Sequence, residues 1–344
     1  MRWKLHEEAE ERGDKMGKTM FMFPGQGAQY VVMGKDLYDE YEKAREIFDT
    51  ASRVTGLDIP ALCFDEDREK FLTGDDGSND KINITEYTQI AMLTVEAAIY
   101  AVMEEKGLKC DYTAGLSLGE YGALIAAGVL SYEDAFKVVR QRGIFMQEAV
   151  PTGGAMAAVL GMDAQTIEKV CEETEGYVAI ANYNCPGQIV ITGEEAAVNR
   201  ASEALKEAGA KRVVPLNVSG PFHSKLLEPA GERLGKVIDE TSINEVRVPY
   251  VANTTAEIVT DSVNIRNLLV KQISSSVRWQ QSIELMIKEG VDTFVEIGPG
   301  KTLAGFMKKI TKAVADSTGN AEAVAGITTY HIETPEELEA YVNR

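Results

Sequence analysis

Histidine is scarce in this chain, with three in 344 residues. Any chemistry that needs an imidazole base must use His6, His223 or His331. Cysteine is scarce too. The four, at 63, 110, 171 and 185, are separated by 47, 61 and 14 residues, which leaves no C-x-x-C pair and no zinc spacing. They read as isolated reduced thiols. No window approaches the roughly 18 uninterrupted apolar residues of a membrane span. The N-terminus, MRWKLHEEAEERGDKMGK, lacks the apolar h-region of a secretory signal and reads as a charged arm, 1–17. Positive charge is also short. Lys and Arg number 35 against 54 Asp and Glu, a net charge of −19, which argues against nucleic acid as a partner. An anionic substrate must therefore be met by a local basic site. A cytoplasmic protein with no membrane contact is expected.

What is present alternates between strand-like and helix-like runs. Residues 19–23 (TMFMF) read as a buried strand, followed by the glycine-rich loop PGQGAQ at 24–29. Tyr30 stands where a dinucleotide fingerprint needs its third glycine, so the loop is read as a source of backbone N–H groups instead. Helical spacing covers 34–53 and 88–106. A short extended run at 111–113 leads into Gly115-Leu116-Ser117-Leu118-Gly119, a G-x-S-x-G pentapeptide, and an apolar helical run follows. Strand, sharp turn, helix is the context that exposes a nucleophilic serine. Ser131 with Asp134 caps a helix reaching about 148.

From 153 to 216 the pattern becomes strand 155–160, helix 164–174, strands 177–182 and 188–192, helix 195–208 and strand 212–216. That β-α-β-β-α-β order is ferredoxin-like. It is bounded by PTGG (151–154) and SGP (219–221). The expected fold is α/β: a large α/β-hydrolase-like domain (18–152 and 217–344) with a parallel sheet core, and an inserted ferredoxin-like subdomain (153–216). The large domain resumes with a helix at 225–241, a strand at 248–252, helices near 262–273 and 279–289 and a strand at 293–297. GPGKT at 298–302 lacks the first P-loop glycine, because residue 295 is Val. It reads as a turn into a helix at 302–310. An edge strand at 326–329 and a helix from 334 complete the chain.

A serine hydroxyl needs a base within hydrogen-bond reach. His6 is in the arm and His331 in the tail, so elimination favours His223, which follows a rigid Gly220-Pro221-Phe222 turn. The N–H of Leu118 is placed to serve an oxyanion, and the loop at Gln26 could supply a second donor. Arg140 and Arg142 are about 200° apart on one helix, so at most one faces Ser117 and could bind a carboxylate or phosphate.

Seven motifs in order are similar to those of the malonyl-CoA:acyl-carrier-protein transacylase family, which includes the acyltransferase domains of fatty-acid and polyketide synthases. They are FPGQGAQ (23–29), GLSLGE (115–120), QRGxxMQ (141–147), NxPGQ (184–188), GPFH (220–223), KQISSSVRW (271–279) and EIGPG (296–300). The resemblance implies that Ser117 carries the acyl group and His223 acts as base, then acid. It also implies that the amides of Gln26 and Leu118 form the oxyanion hole and that Arg142 rather than Arg140 holds the malonyl carboxylate. By the same resemblance, the backbone carbonyl of Gln272 is expected to orient the histidine, and Asn184 to lie in a subdomain that covers the cleft. Phe222 resembles the malonyl-selecting form. Leu116 stands where the family often has histidine, a departure that bears on cleft lining and acyl preference.

The implied reaction is ping-pong transfer of malonyl from malonyl-CoA to the phosphopantetheine thiol of acyl carrier protein, for fatty-acid synthesis or a polyketide assembly line. No metal and no cofactor are implied, and a monomer is expected. Lys225, Arg278, Lys301, Lys308 and Lys309 are candidates for a basic patch that meets the carrier. Two alternatives remain. One is a serine thioesterase or hydrolase with His331 as base, and the other is a non-catalytic acyl-binding module.

Overall fold

The computed structural model describes residues 17–64, 81–319 and 322–344. The expectation of a charged arm at 1–17 falls, but for its last residue, outside them. Ten strands follow in chain order: β1 (Lys18–Phe23), β2 (Tyr112–Gly115), β3 (Gly154–Leu160), β4 (Val178–Cys185), β5 (Gln188–Glu194), β6 (Arg212–Pro215), β7 (Tyr250–Val251), β8 (Ile258–Val259), β9 (Val291–Ile297) and β10 (Thr328–Ile332).

Six of them form one sheet in the order β10-β9-β1-β2-β7-β8. All neighbours are parallel except the β7–β8 pair. Met20 to Phe23 in central β1 are all fully buried, as expected of a strand covered on both faces. The helix Thr85–Glu105 is buried on nearly every side and packs against Tyr132–Ala149.

The other four strands form an antiparallel sheet in the order β4-β5-β3-β6, with helices Ala164–Glu173 and Glu195–Glu207 between its strands. This is the ferredoxin-like arrangement. Its core of Val159, Ile167, Ile191 and Leu205 is separate from the large domain's. Edge strand β4 is not left open. Tyr183 N–H donates to the Val277 carbonyl (2.9 Å) and Val277 N–H to the Ala181 carbonyl (2.8 Å), joining the small sheet to a loop of the large domain.

Ser131 accepts from Asp134 N–H, so the cap read from sequence is formed. Other elements differ from expectation. The helix expected over 34–53 is two helices, Lys35–Glu40 and Glu42–Thr55, because Tyr41 is extended (φ −107°, ψ 125°). The helix expected from 225 begins as the 3-10 turn Lys225–Leu227 ahead of Glu228–Asp239, where Pro229 fits the first turn. The helix after GPGKT continues to Thr318. The short helix Ile59–Phe64 and the two-residue β8 carry too little periodicity to be read beforehand.

Candidate active site

Ser117 sits between the end of β2 and the helix Gly119–Ala126 with φ 56°. A left-handed serine costs on the order of 1–3 kcal/mol and persists only where its surroundings hold it. Two glycines make the turn possible. A Cβ on Gly115 would lie 1.9 Å from the Gly119 carbonyl carbon, and one on Gly119 would lie 2.1 Å from the Phe23 carbonyl oxygen. Strand, elbow and helix are therefore in backbone contact, which fixes where the hydroxyl emerges.

The Ser117 hydroxyl lies 2.7 Å from His223 Nε2, and His223 Nδ1 lies 2.9 Å from the Gln272 carbonyl oxygen. A carbonyl only accepts, so Nδ1 carries the proton and Nε2 is left to accept from the serine. No carboxylate takes part in this chain of bonds. His223 is also left-handed (φ 58°), and its N–H donates to the Ile273 carbonyl. Burial, and then the Arg142 cation, push its pKa down to about 4, so the imidazole is neutral at pH 7.

Arg142 is fully buried. Its Nη2 donates to the Ser117 hydroxyl (3.1 Å) and to Gln272 Oε1 (2.8 Å), and its Nη1 donates to Gln89 Oε1 (2.7 Å). The guanidinium lies 5.5 Å from the Tyr121 ring centroid, a cation–π contact. Its Nε has no partner among the described residues. Burial lowers its pKa, against the opposing pull of Tyr121 and Glu120. Arg140 points elsewhere, paired with the Glu86 carboxylate at 3.0 Å.

Gln272 links the parts. Its Nε2 donates to the Ser117 carbonyl (2.7 Å) and to Glu120 Oε2 (2.7 Å). Glu120 is fully buried, and burial raises its pKa to about 7 despite bonds from Gln272 and Asn253. Asn253 brackets the elbow from the other side. Its Oδ1 accepts from Ser117 N–H (2.6 Å) and its Nδ2 donates to the Gly115 carbonyl (2.6 Å).

A cavity of about 260 Å³ opens over the hydroxyl. Gly25, Gln26, Leu116, Asn184, Gln188 and Phe222 are among its lining, with Met146, Met156 and Phe306 supplying apolar wall. Gln26 is fixed by its side chain on Thr85, and Gly25 packs on the Leu116 backbone. Leu118 lies at the start of the helix after Ser117, where amides lack helical partners. The structure thus brings Ser117, His223, Arg142, Gln26, Leu116, Phe222 and Asn184 around one cavity, with Gln272 buried behind His223 and Arg142 and Leu118 buried beside Ser117. His331 is not part of it. That side chain contacts the Gly298 carbonyl and Glu337, so it does not serve Ser117. Glu120, Asn253 and Gln89 were not singled out from sequence. Among the described residues no group of three His, Cys, Asp or Glu is arranged to hold a metal.

This arrangement can deprotonate a hydroxyl in a partly apolar cleft beside a fixed cation. That suits acyl transfer of a substrate carrying a negative group.

The sequence pattern of the family described as "Acyl transferase domain" matches residues 20–340. A malonyl CoA-acyl carrier protein transacylase of Bacillus subtilis (strain 168) is 46% identical over 301 residues, 86% of this chain and 92% of that relative. The crystal structure of a malonyl CoA-acyl carrier protein transacylase from Clostridium perfringens superposes with a TM-score of 0.84 at 41% identity, covering 95% of this chain and 96% of that one. A malonyl-transacylase solved with its type II polyketide-synthase acyl-carrier protein superposes with a TM-score of 0.85 at 36% identity, covering 95% and 99%.

Proposed function

The chain belongs to the acyl transferase domain family, and we propose that it transfers malonyl from malonyl-CoA to the phosphopantetheine thiol of an acyl carrier protein, supplying fatty-acid synthesis. One observation carries this reading. The serine hydroxyl bonds both a neutral histidine and a buried arginine, which pairs a nucleophile with a carboxylate holder.

His223 takes the Ser117 proton as the oxygen attacks the thioester carbonyl. The N–H groups of Gln26 and Leu118 meet the developing oxyanion. Collapse expels the CoA sulfur, which leaves with the proton from His223. In the second half, His223 takes the proton of the carrier thiol, the sulfur attacks the ester, and Ser117 leaves reprotonated. Arg142 holds the malonyl carboxylate throughout, so an acyl group without that charge is held less tightly. Phe222 and Leu116 shape the acyl pocket, and Asn184 meets the substrate from the subdomain side. The apolar wall disfavours water as acceptor, which keeps the ester for the thiol. No cofactor enters any step.

The division into 18–152 with 217–344 and the insert 153–216 is part of this reading, supported by the two separate sheets. The insert covers the cleft. A monomer in the cytoplasm is also part of it, and four unpaired thiols suit a reducing compartment. For the carrier we assign Lys225, Arg278, Lys308 and Lys309. Lys309 reaches Gln188 on the cavity wall (3.2 Å), and Arg278 lies over the Tyr183 ring. Lys301, the fifth candidate, pairs with Glu337 at 3.0 Å at the surface.

The test is intact mass after incubation with malonyl-CoA. The parent gains one malonyl group and Ser117→Ala gains none. An undiminished adduct on Ser117→Ala overturns the reading.

A further inference from the structure

Ser117 has a backbone problem that no motif solves. Its residue is left-handed, so its N–H fits neither the ladder of β2 nor a helix. β2 pairs with β7 through Thr113 and Tyr250. Past these short strands the two chains separate, and a side chain takes over from the backbone. The Asn253 carboxamide reaches across, accepting from Ser117 N–H and donating to the Gly115 carbonyl, both at 2.6 Å. These partners settle its orientation, since only the oxygen can face an N–H and only the nitrogen a carbonyl. Asn253 is itself fixed. It is 1% exposed, its carbonyl accepts from Arg278 N–H (2.9 Å), and its own N–H donates to Glu120 Oε1 (3.4 Å). On the far side, Gln272 Nε2 holds the Ser117 carbonyl. Both peptide groups of the nucleophile are thus gripped by buried side-chain amides from distant segments.

We propose that Asn253 is a positioning residue for the reaction: its carboxamide clamps Gly115 to Ser117 and keeps the nucleophile in the left-handed conformation that aims its hydroxyl at His223. This rests on the reading of Ser117 as the acyl acceptor. Asn253 touches no reacting atom. Its effect is on how fast Ser117 reacts and not on how tightly malonyl-CoA binds.

The experiment first establishes the malonyl adduct on the parent; its absence overturns the reading of Ser117 and the role of Asn253 with it, whereas the outcomes below bear on Asn253 alone. Asn253→Ala then slows acylation by about a hundredfold, the scale of a misplaced reacting group. Reaction with a small fluorophosphonate, which needs the serine but none of the CoA contacts, slows in the same proportion. The Kd for malonyl-CoA, measured with Ser117→Ala in both backgrounds, is unchanged. Asn253→Asp is the second variant. Its protonated acid offers the same acceptor and donor, so its acylation rate relative to the parent recovers as pH falls from about 8 to about 5.5. Asn253→Ala shows no such recovery. An alanine variant acylated within threefold of the parent overturns the proposal, as does a weakened Kd that accounts for the loss. Lack of any recovery in a folded Asn253→Asp also overturns it.

Discussion

The Arg142 guanidinium donates directly to the Ser117 hydroxyl at 3.1 Å, so the cation proposed to hold a substrate carboxylate is in contact with the proposed nucleophile. The same contact favours the ionised serine and disfavours a protonated His223. One buried charge therefore acts on both Ser117 and His223.

Arg142→Ala should lower kcat/KM for malonyl-CoA by about 2–3 kcal/mol, roughly 30- to 150-fold, the worth of a charge-assisted pair. Acetyl-CoA, which has no carboxylate to hold, should lose less. Steady-state kinetics on both substrates decide it, and equal losses would mark Arg142 as merely structural.

The pH profile follows from His223. Its pKa near 4 keeps the base form dominant above that value, so kcat/KM should rise through about pH 4 and level off. Arg142 lowers that pKa, so its removal should move the acidic limb upward toward 6.5. A limb that stays put in Arg142→Ala would refute the electrostatic link.

Comparing His223→Ala with His331→Gln separates the two candidate bases. The first should abolish malonyl-enzyme formation. The second should leave its rate within a few-fold, because His331 bonds the Gly298 carbonyl and lies against Glu337, away from Ser117. It should lower thermal stability. Loss of the adduct in His331→Gln would restore the hydrolase-like alternative.

Glu96 is fully buried, and neither carboxylate oxygen has a hydrogen-bond partner among the described residues. Burial, and then the nearby Glu296, raise its pKa well above 4.5. A raised folded pKa means the native state binds the proton more tightly than the unfolded chain. Its stabilising contribution is full below 4.5 and is lost as pH rises through the folded value. Glu96→Gln should remove that slope. Urea midpoints at several pH values test it as the difference from the parent, since His223, which acts in the opposite sense between about 4 and 6.5, is common to both. Parallel curves would show that Glu96 does not titrate this way.

Reversing the charge of Lys308 and Lys309, both exposed, should raise KM for the carrier protein and spare acylation by malonyl-CoA. Each half-reaction can be followed separately by mass. An unchanged KM would remove this patch from the docking surface.

Local signals were readable where local physics sets the structure. Ser131 caps its helix, and the β-α-β-β-α-β order yields the small sheet. Boundaries slipped where one residue overrides a pattern, as Tyr41 does between two helices. The elbow and His223 were legible because glycine spacing and a count of three histidines leave few choices. Gln272 emerged only through resemblance, since what it offers the histidine is a backbone carbonyl, which any residue has. Glu120 and Asn253 gave no signal. Their work is done by buried bonds to Gln272, Ser117 and Gly115, contacts that leave no periodicity or spacing in the sequence.

Those bonds reach a long way along the chain. Ser117 waits for Asn253, 136 residues later, and for Gln272, 155 residues later. During synthesis the elbow and the first strands leave the ribosome long before the segments that grip them. A nascent chain, or one cut short before residue 253, therefore carries the serine without the Asn253 carboxamide, the Gln272 carbonyl that meets His223 or the Gln272 side chain that meets Arg142. On the reading of Ser117 as the acyl acceptor, reactivity toward acyl thioesters arrives only once the segment carrying Gln272 has joined the fold.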